Sequence, residues 1–243
     1  RPVASGAAGP ARLPRRQLVR RSGLTLSGMA GRLVRAGLYC GMLAPLLWAA
    51  VIVIAGELRP GFDHVAQYIS ELGERGSPNA DFMRYGGFIA TGLLHIVYAA
   101  AFYAVLLRLS GRRGLTLFIA ALIALNGLGR IGAGLFACEP GCLAPAVAEQ
   151  RLHSLSATIA FLAIAAAALL GGFVFRSVRS MQCLAPYSLA TGIAGLLCLG
   201  LMSAGDVGRV GLYERLASGV LSLWILLTAL RLASGERQTA VSV

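Results

Sequence analysis

The stretch AGLYCGMLAPLLWAAVIVIAG, residues 36–56, decides the fold of this chain. It contains no charged residue, and a helix needs about 20 apolar residues to cross a hydrocarbon core about 30 Å thick. An uncharged run of this length is typical of a membrane-spanning helix rather than of a soluble core. The stretch therefore predicts a transmembrane helix.

Further runs of the same kind follow along the chain. With the first, they occupy residues 36–56, 85–107, 115–137, 152–175, 186–205 and 213–232. Of the 243 residues, 57% are hydrophobic and only 13% are charged, and the mean hydropathy is +0.73. The sequence predicts an all-α integral membrane bundle of six transmembrane helices over residues 36–232. Because Glu214 and Arg215 open the sixth run, we expect its membrane-buried part to start near Leu216.

The two ends of the chain lack such runs. Residues 1–35 are rich in Arg, Gly, Ala and Pro, and we predict a disordered basic segment there and a disordered tail over residues 233–243. Met29 stands shortly before the first run. We interpret residues 1–28 as an upstream extension, and their translation in the native protein stays open.

The net charge is +12, and arginine rather than lysine supplies all of the positive charge. With both termini in the cytoplasm, fifteen of the 22 arginines lie in cytoplasmic segments and six in outer ones, as the positive-inside rule favours. Nine of the ten acids fall on the outer side. No base-reading module is present, so we predict no nucleic-acid partner. The predicted location is the cell membrane, with the lipid bilayer as the first partner.

The first outer segment, from Glu57 to Arg84, has a helical period. Its apolar positions predict a short amphipathic helix that lies on the outer mouth of the bundle or in the membrane interface. The apolar positions are Phe62, Val65, Ala66, Ile69 and Leu72, and the polar ones are Asp63, Gln67, Ser70, Glu71 and Glu74.

Arg130 is the most informative single residue, because a guanidinium within an apolar span costs a few kcal/mol and needs a partner or a wet cavity. Asn126 lies one helical turn before it. The partner is Glu139, Asp63, Glu71 or a bound anion. A structural ion pair and a ligand site both remain open.

Two histidines lie in apolar runs. His95 lies near the middle of the second run, and either a cross-helix hydrogen bond or a ligand role accounts for it. His153 opens the fourth run and is a candidate acid or base, assisted by a carboxylate of Glu71, Asp63 or Glu139. The candidate ligand-binding residues are Arg130, Asn126, His95, Ser70 and Ser156.

Cys138 and Cys142 flank a tight outer turn. Outside the cytoplasm such a pair forms a disulfide or stays as free thiols, and both states are favoured over zinc, which needs three or four ligands. We predict no cofactor and no metal site.

Two outer motifs carry a family resemblance. YISELG (68–73) followed by SPNA (77–80), and GLFACEPGC (134–142) followed by His153, resemble the domain-of-unknown-function-998 family. The resemblance implies a prokaryotic multi-pass membrane protein without an established activity. Glu139 stands where that family usually has Asp. The Ile-Ser-Glu-Leu-Gly loop is also distantly similar to Frag1/DRAM-type six-span proteins, which hints at lipid-related work.

The sequence therefore predicts a function on the outer side. The first hypothesis is an outward-facing polar site that binds a lipid headgroup, a small anionic ligand or a partner protein. An alternative is a membrane-embedded enzyme that acts on a lipid or other anionic substrate from the outer side, and whether the protein is an enzyme stays open. A weaker alternative is a transporter that uses His95 and Arg130. The sequence does not set the oligomeric state.

Overall fold

A computed structural model describes residues 15–204 and 208–241, with side chains described over 28–204 and 208–234. Within these ranges the chain is helical and contains no strand. The long helices are α1 (Arg15–Glu57), α2 (Ala90–Ser110), α3 (Arg113–Leu135), α4 (Ala148–Phe175), α5 (Leu184–Ser203) and α6 (Val210–Val241). Short 3₁₀ helices cover Ile69–Gly73, Pro140–Cys142 and Arg179–Met181.

Six helices in the described part of the chain are long and apolar enough to cross a membrane, which confirms the predicted bundle. Their apolar parts are Gly28–Glu57, Phe82–Ser110, Arg113–Leu135, Ala148–Phe175, Leu184–Ser203 and Val210–Ser234. The second span begins with a π-helix, Phe82–Ile89, that runs directly into α2. The sixth helix begins before Glu214, so this acid and Arg215 are part of the helix.

The helices extend beyond the predicted transmembrane domain at both ends. Residues 15–35, which we assigned to a disordered segment, are helical in α1, and α6 runs to Val241 across most of the predicted tail. Residues 1–14, 242 and 243 lie outside the described residues, so disorder there stays a prediction. By its contacts the chain divides into a unit up to Leu33 and a unit from Val34 onward, and the second unit contains the site described below.

The helices pack in sequence order as a ring. Each of α2 to α5 packs against the next helix, α6 contacts α2, and α1 packs against both α2 and α6. Gly41 of α1 lies against the ring of Tyr98 in α2, and Trp48 Nε1 donates to Ser218 Oγ of α6 at 2.7 Å. We call the end that carries the loops 58–79 and 136–147 the capped end. The opposite end carries the turns at 111–112 and 176–183.

Glycines bring α3 unusually close to its neighbours. A Cβ on Gly127 would lie 2.6 Å from the carbonyl oxygen of Gly92 in α2, and one on Gly129 would lie 2.6 Å from the carbonyl oxygen of Ser156 in α4. Real Cβ atoms do not approach this closely, so only glycine permits these contacts. Small residues thus set the spacing of α2, α3 and α4.

The loop 58–79 departs from the predicted amphipathic helix in its extent. Only Ile69–Gly73 is helical, as a short 3₁₀ helix, while upstream Asp63 Oδ1 accepts from the amides of Val65 and Ala66 and its carbonyl oxygen accepts from the Gln67 amide, which makes a single turn. Ile69 and Leu72 are buried as the apolar pattern predicts. Glu71 and Glu74, on the predicted polar face, are buried too, because they bind groups within the cap.

We expect Gly127→Ala to destabilise the bundle. The added methyl meets the backbone of α2, and overpacking of this kind costs about 1–3 kcal/mol. The midpoint of thermal unfolding in detergent should therefore fall. Gly219→Ala in α6 is the matched control, since a Cβ there meets no other described atom within 4 Å. Equal midpoints for the two variants would show that α2 and α3 are not held at this distance.

Candidate functional site

A cavity of about 40 Å³ lies inside the bundle toward the capped end. A buried water needs about 10–15 Å³, so the cavity has room for roughly three waters or one small polar group. Side chains from the cap and from α1, the π-helix, α2, α3, α4 and α6 line it. Its polar lining residues are Ser70, His95, Asn126, Arg130, His153, Glu214, Ser218 and Ser222.

Arg130 of α3 is held in this cavity by a tryptophan and a hydroxyl. Its guanidinium carbon lies 4.2 Å from the ring centroid of Trp48, and Nη1 donates to Thr91 Oγ1 at 3.3 Å. The side chain is buried, and its Nε has no hydrogen-bond partner among the described atoms. At 1.5 Å per residue, Arg130 lies roughly 8 Å below the end of α3.

The carboxylates that the sequence offered as partners of Arg130 bind elsewhere. Glu139 pairs with Arg75 at 3.1 Å. Glu71 accepts from Gln67 Nε2 at 2.7 Å and from the Tyr68 amide at 2.8 Å. None of the ion pairs between described side chains includes Arg130.

Asp63 is the third of these carboxylates and lies at the exposed outer surface of the cap. Its backbone bonds to the amides of Val65 and Ala66 lower the pKa of its carboxyl. Neighbouring His64 accepts at Nδ1 from Arg215 Nε, at 3.2 Å. Burial, and secondly the charge of Arg215, lower the pKa of His64, which keeps that acceptor unprotonated. Asp63 is therefore part of the architecture of the cap.

His153 presents one ring nitrogen to the cavity. Its Nδ1 lies 3.0 Å from the carbonyl oxygen of Ala133 and 2.8 Å from that of Phe136. Carbonyl oxygens only accept hydrogen bonds, so Nδ1 carries the proton, and the lone pair of the neutral ring lies on Nε2. Nε2 is buried and has no partner among the described atoms.

His95 and Asn126 line the same cavity. His95 Nδ1 donates to the carbonyl oxygen of Thr91 at 2.6 Å, one helical turn back. The Asn126 Nδ2 amide is buried and lacks a partner among the described atoms. Two buried donors, on Asn126 and Arg130, are therefore unsatisfied within one small cavity.

The two candidate serines have different surroundings. Ser70 lines the cavity from the cap, and its Oγ lies 3.3 Å from Cys142 Sγ. Ser156 packs against Gly129 and Gly132 of α3 and is not among the described residues that line the cavity. Its small side chain serves the contact between α3 and α4.

A larger groove of about 530 Å³ adjoins the cavity. Ser70, His153, Phe161 and Glu214 are among the residues that line both spaces, so they form the junction between them. The groove extends between α4 and α5, where its apolar wall consists of Leu143, Leu162, Leu196, Leu199 and Met202. Leu162 and Leu196 are exposed on the bundle surface, so the groove opens sideways toward lipid.

A sequence model of the family described as "Protein of unknown function (DUF998)" matches residues 42–231. The chain belongs to the DUF998 family. The match covers all six spans at least in part and confirms the resemblance that the outer motifs carried. No curated protein and no solved structure matches the chain.

The two loops that carry the motifs resembling the DUF998 family meet at the capped end. The amide of Arg75 donates to the carbonyl oxygen of Cys138 at 2.9 Å, and Cys138 and Cys142 form a disulfide. Glu74 links the two loops, because it pairs with Arg59 at 2.7 Å and accepts from the Gly141 amide at 2.7 Å. The DUF998 motifs thus build one cap over the cavity.

Sequence reasoning missed three contributors to this DUF998 site. Trp48 lies within an ordinary apolar run, and Thr91 is a single hydroxyl near His95, so neither stands out. Glu214 is buried at the junction, and its Oε2 accepts from the Ile69 amide at 2.6 Å. The signal for Glu214 was its place at the start of the sixth run, where we counted it as one acid of an outer surface.

Proposed function

We propose that this DUF998 protein binds the anionic headgroup of a membrane amphiphile in its interior cavity. The observation that carries the proposal is a buried Arg130 without a carboxylate partner, whose Nε shares the cavity with the unpaired Asn126 amide. An anion that accepts from both groups satisfies them at once.

A bound anion would add to the contacts that offset the burial of Arg130. An arginine at the centre of a span costs about 2.5–3.5 kcal/mol on insertion scales, which is an upper limit for Arg130 near the end of α3. Stacking on Trp48 returns about 2 kcal/mol when the pair is desolvated, and the bond to Thr91 returns a further part. Charge-assisted hydrogen bonds of about 1.5–3 kcal/mol each would offset the remainder when an anion is present.

The shape of the adjoining space favours an amphiphile over a soluble anion. The groove has an apolar wall, opens between α4 and α5, and is continuous with the cavity through shared residues. Acyl chains fit such a wall while a headgroup occupies the polar interior. A lipid can thus reach the cavity from the side.

The orientation supports access from the outer leaflet. Fifteen of the 22 arginines lie in the two ends of the chain and near the turns opposite the cap, so the positive-inside rule favours cytoplasmic termini in the cell membrane. The capped end then faces outward, and the cavity lies in the outer half of the bilayer.

Transport finds less support. Beyond His95 toward the opposite end, the core is mainly apolar, and its buried hydroxyls, such as those of Ser188 and Thr228, bond within the bundle. A transport route would need a continuous polar path there.

Embedded hydrolysis is a second candidate function, favoured by the fixed tautomer of His153. A neutral imidazole with a free Nε2 in a cavity is suited to take a proton from water that attacks an ester. The carboxylates first considered as its assistants, Glu71, Asp63 and Glu139, bind groups of the cap and surface, whereas Glu214 adjoins His153 at the junction.

We expect Arg130→Gln to lose lipid binding. Delipidated protein in detergent is titrated with dioleoylphosphatidic acid, and native mass spectrometry reports occupancy. Loss of charge-assisted bonds should weaken binding at least about tenfold. Arg130→Lys keeps the charge without the planar fork and should fall in between. Arg113→Gln, an exposed arginine at the opposite end, is the control, and equal occupancy in both Gln variants would refute the proposal.

For the enzymatic candidate, the measured products are fatty acid and inorganic phosphate released from dioleoylphosphatidic acid. Loss of a general base typically slows a reaction by about 10²–10⁴-fold, and His153→Gln should do so here. Ser156→Ala, at the α3–α4 contact, should leave the rate unchanged. Absence of product from the wild type would argue against this candidate and leave the binding proposal in place.

Reporter fusions test the orientation. Alkaline phosphatase fused after Gly76 should be active, since that loop faces outward, and green fluorescent protein at residue 243 should fluoresce in the cytoplasm. A phosphatase fusion after Gly111, in a turn at the opposite end, is the negative control. The reverse pattern of activity would show that the bundle is inserted the other way.

A further inference from the structure

The donors and acceptors of the site lie at different depths. Arg130 and Asn126, which offer donors, line only the interior cavity. His153 and Glu214, which offer acceptors, line both the cavity and the groove. Along a path from the groove inward, the acceptors of His153 and Glu214 therefore come before the donors of Arg130 and Asn126.

The acceptor character of the junction follows from its bonds. Both carbonyl contacts of His153 engage Nδ1, which leaves the lone pair of Nε2 for a ligand. Glu214 makes no ion pair among the described side chains. Its neighbour Arg215 donates instead to the carbonyl oxygens of Gln67 and Gly211 and to His64. His153 and Glu214 can therefore each accept a hydrogen bond from a donor on the ligand.

The size of the cavity limits what reaches Arg130. A volume of about 40 Å³ holds roughly three waters, which is comparable to one phosphate or carboxylate group. A lipid whose tails lie in the groove inserts its terminal group deepest. In a phosphodiester headgroup that terminal group is the alcohol or amine, and the phosphate would stop at the acceptors.

We infer that the ligand is an amphiphile with a terminal anion, a phosphate monoester or a carboxylate, and a hydroxyl or amino donor between that anion and the tail. This inference rests on the proposed function. The terminal anion binds Arg130 and Asn126, the donor binds His153 and Glu214, and the tail lies along the wall formed by Leu162, Leu196 and Leu199. The tail, the donor and the anion of the ligand thus follow one another in the same order as the groove, the junction and the cavity.

Matched lysolipids test the terminal anion. On delipidated wild-type protein, 1-oleoyl-lysophosphatidic acid should bind at least about tenfold more tightly than 1-oleoyl-lysophosphatidylethanolamine, which has the same tail and hydroxyl but a capped phosphate. N-Oleoylglycine, a carboxylate with an amide donor, shows whether the anion must be phosphate. Tight binding of either terminal anion supports the inference.

Capping the donor tests the acceptors. The 2-O-methyl ether of the same lysophosphatidic acid should bind several-fold more weakly to the wild type, and this difference should shrink in Glu214→Gln. Glu149→Gln, an exposed acid at the start of α4, should keep the wild-type difference. Inorganic phosphate, tested as a competitor, shows whether the anion alone is sufficient. Displacement of lysophosphatidic acid by inorganic phosphate at equal concentration would refute the role of the tail.

The outcomes separate the two claims. Equal, Arg130-dependent binding of lysophosphatidic acid and its ethanolamine ester overturns the terminal-anion inference and leaves the proposed function standing. Binding of every lipid that is unaffected by Arg130→Gln overturns the proposed function itself. The midpoint of thermal unfolding shows whether each variant is folded. If Arg130→Gln is unfolded, Arg130→Lys replaces it in the binding measurements.

Discussion

A positive charge buried between membrane-spanning helices is the constraint on which this structure depends. Arg130 lies on the face of Trp48, 4.2 Å from the ring centroid, and bonds Thr91. These contacts come from α1 and α2, so the guanidinium links three helices in the half of the bundle nearest the cap. They partly offset the cost of burial but leave Nε without a partner among the described atoms. The charge is thus held in place while part of its bonding capacity faces a cavity.

Close helix packing is what keeps that cavity small. Glycines at 92, 127 and 129 let the backbones of α2, α3 and α4 approach until no Cβ fits. Arg84 in the π-helix then donates to the carbonyl oxygens of Gly134 and Leu135, which satisfies the end of α3. A π-helix has a wider turn than an α-helix and is often found near functional sites. Here it starts the second span, contains Phe88, which lines the cavity, and leads directly to Thr91, which bonds Arg130.

The sequence was sufficient for the bundle because hydrophobic length is a local property. Each span is a run that a bilayer requires, and the structure confirms all six. Arg130, Asn126, His95, His153 and Ser70 were also recognisable, since polar groups in apolar surroundings are costly and therefore conspicuous. The partners were not recognisable. Helical spacing suggested that Ser156 lies near the site, but Ser156 packs against glycines of α3 instead. No local pattern in the sequence distinguishes Glu214 from an acid in a solvated loop.

The acids that the sequence predicted as partners of Arg130 bond other groups, and the position of the cap explains why. Buried polar groups of the cap must find partners within the protein, because water reaches them poorly. Glu71 and Glu74 find them in amides and an arginine of the cap, whereas Asp63 and Glu139 bond amides and Arg75 nearer the surface. Glu214 enters from α6 instead, and by accepting the Ile69 amide it fixes the cap to the bundle at the mouth of the cavity. Among the residues that the structure describes, Glu214 is the only acid that lines the cavity, and its bond to Ile69 also holds the cap in place. A ligand that binds Glu214 therefore acts on the same contact that positions the cap.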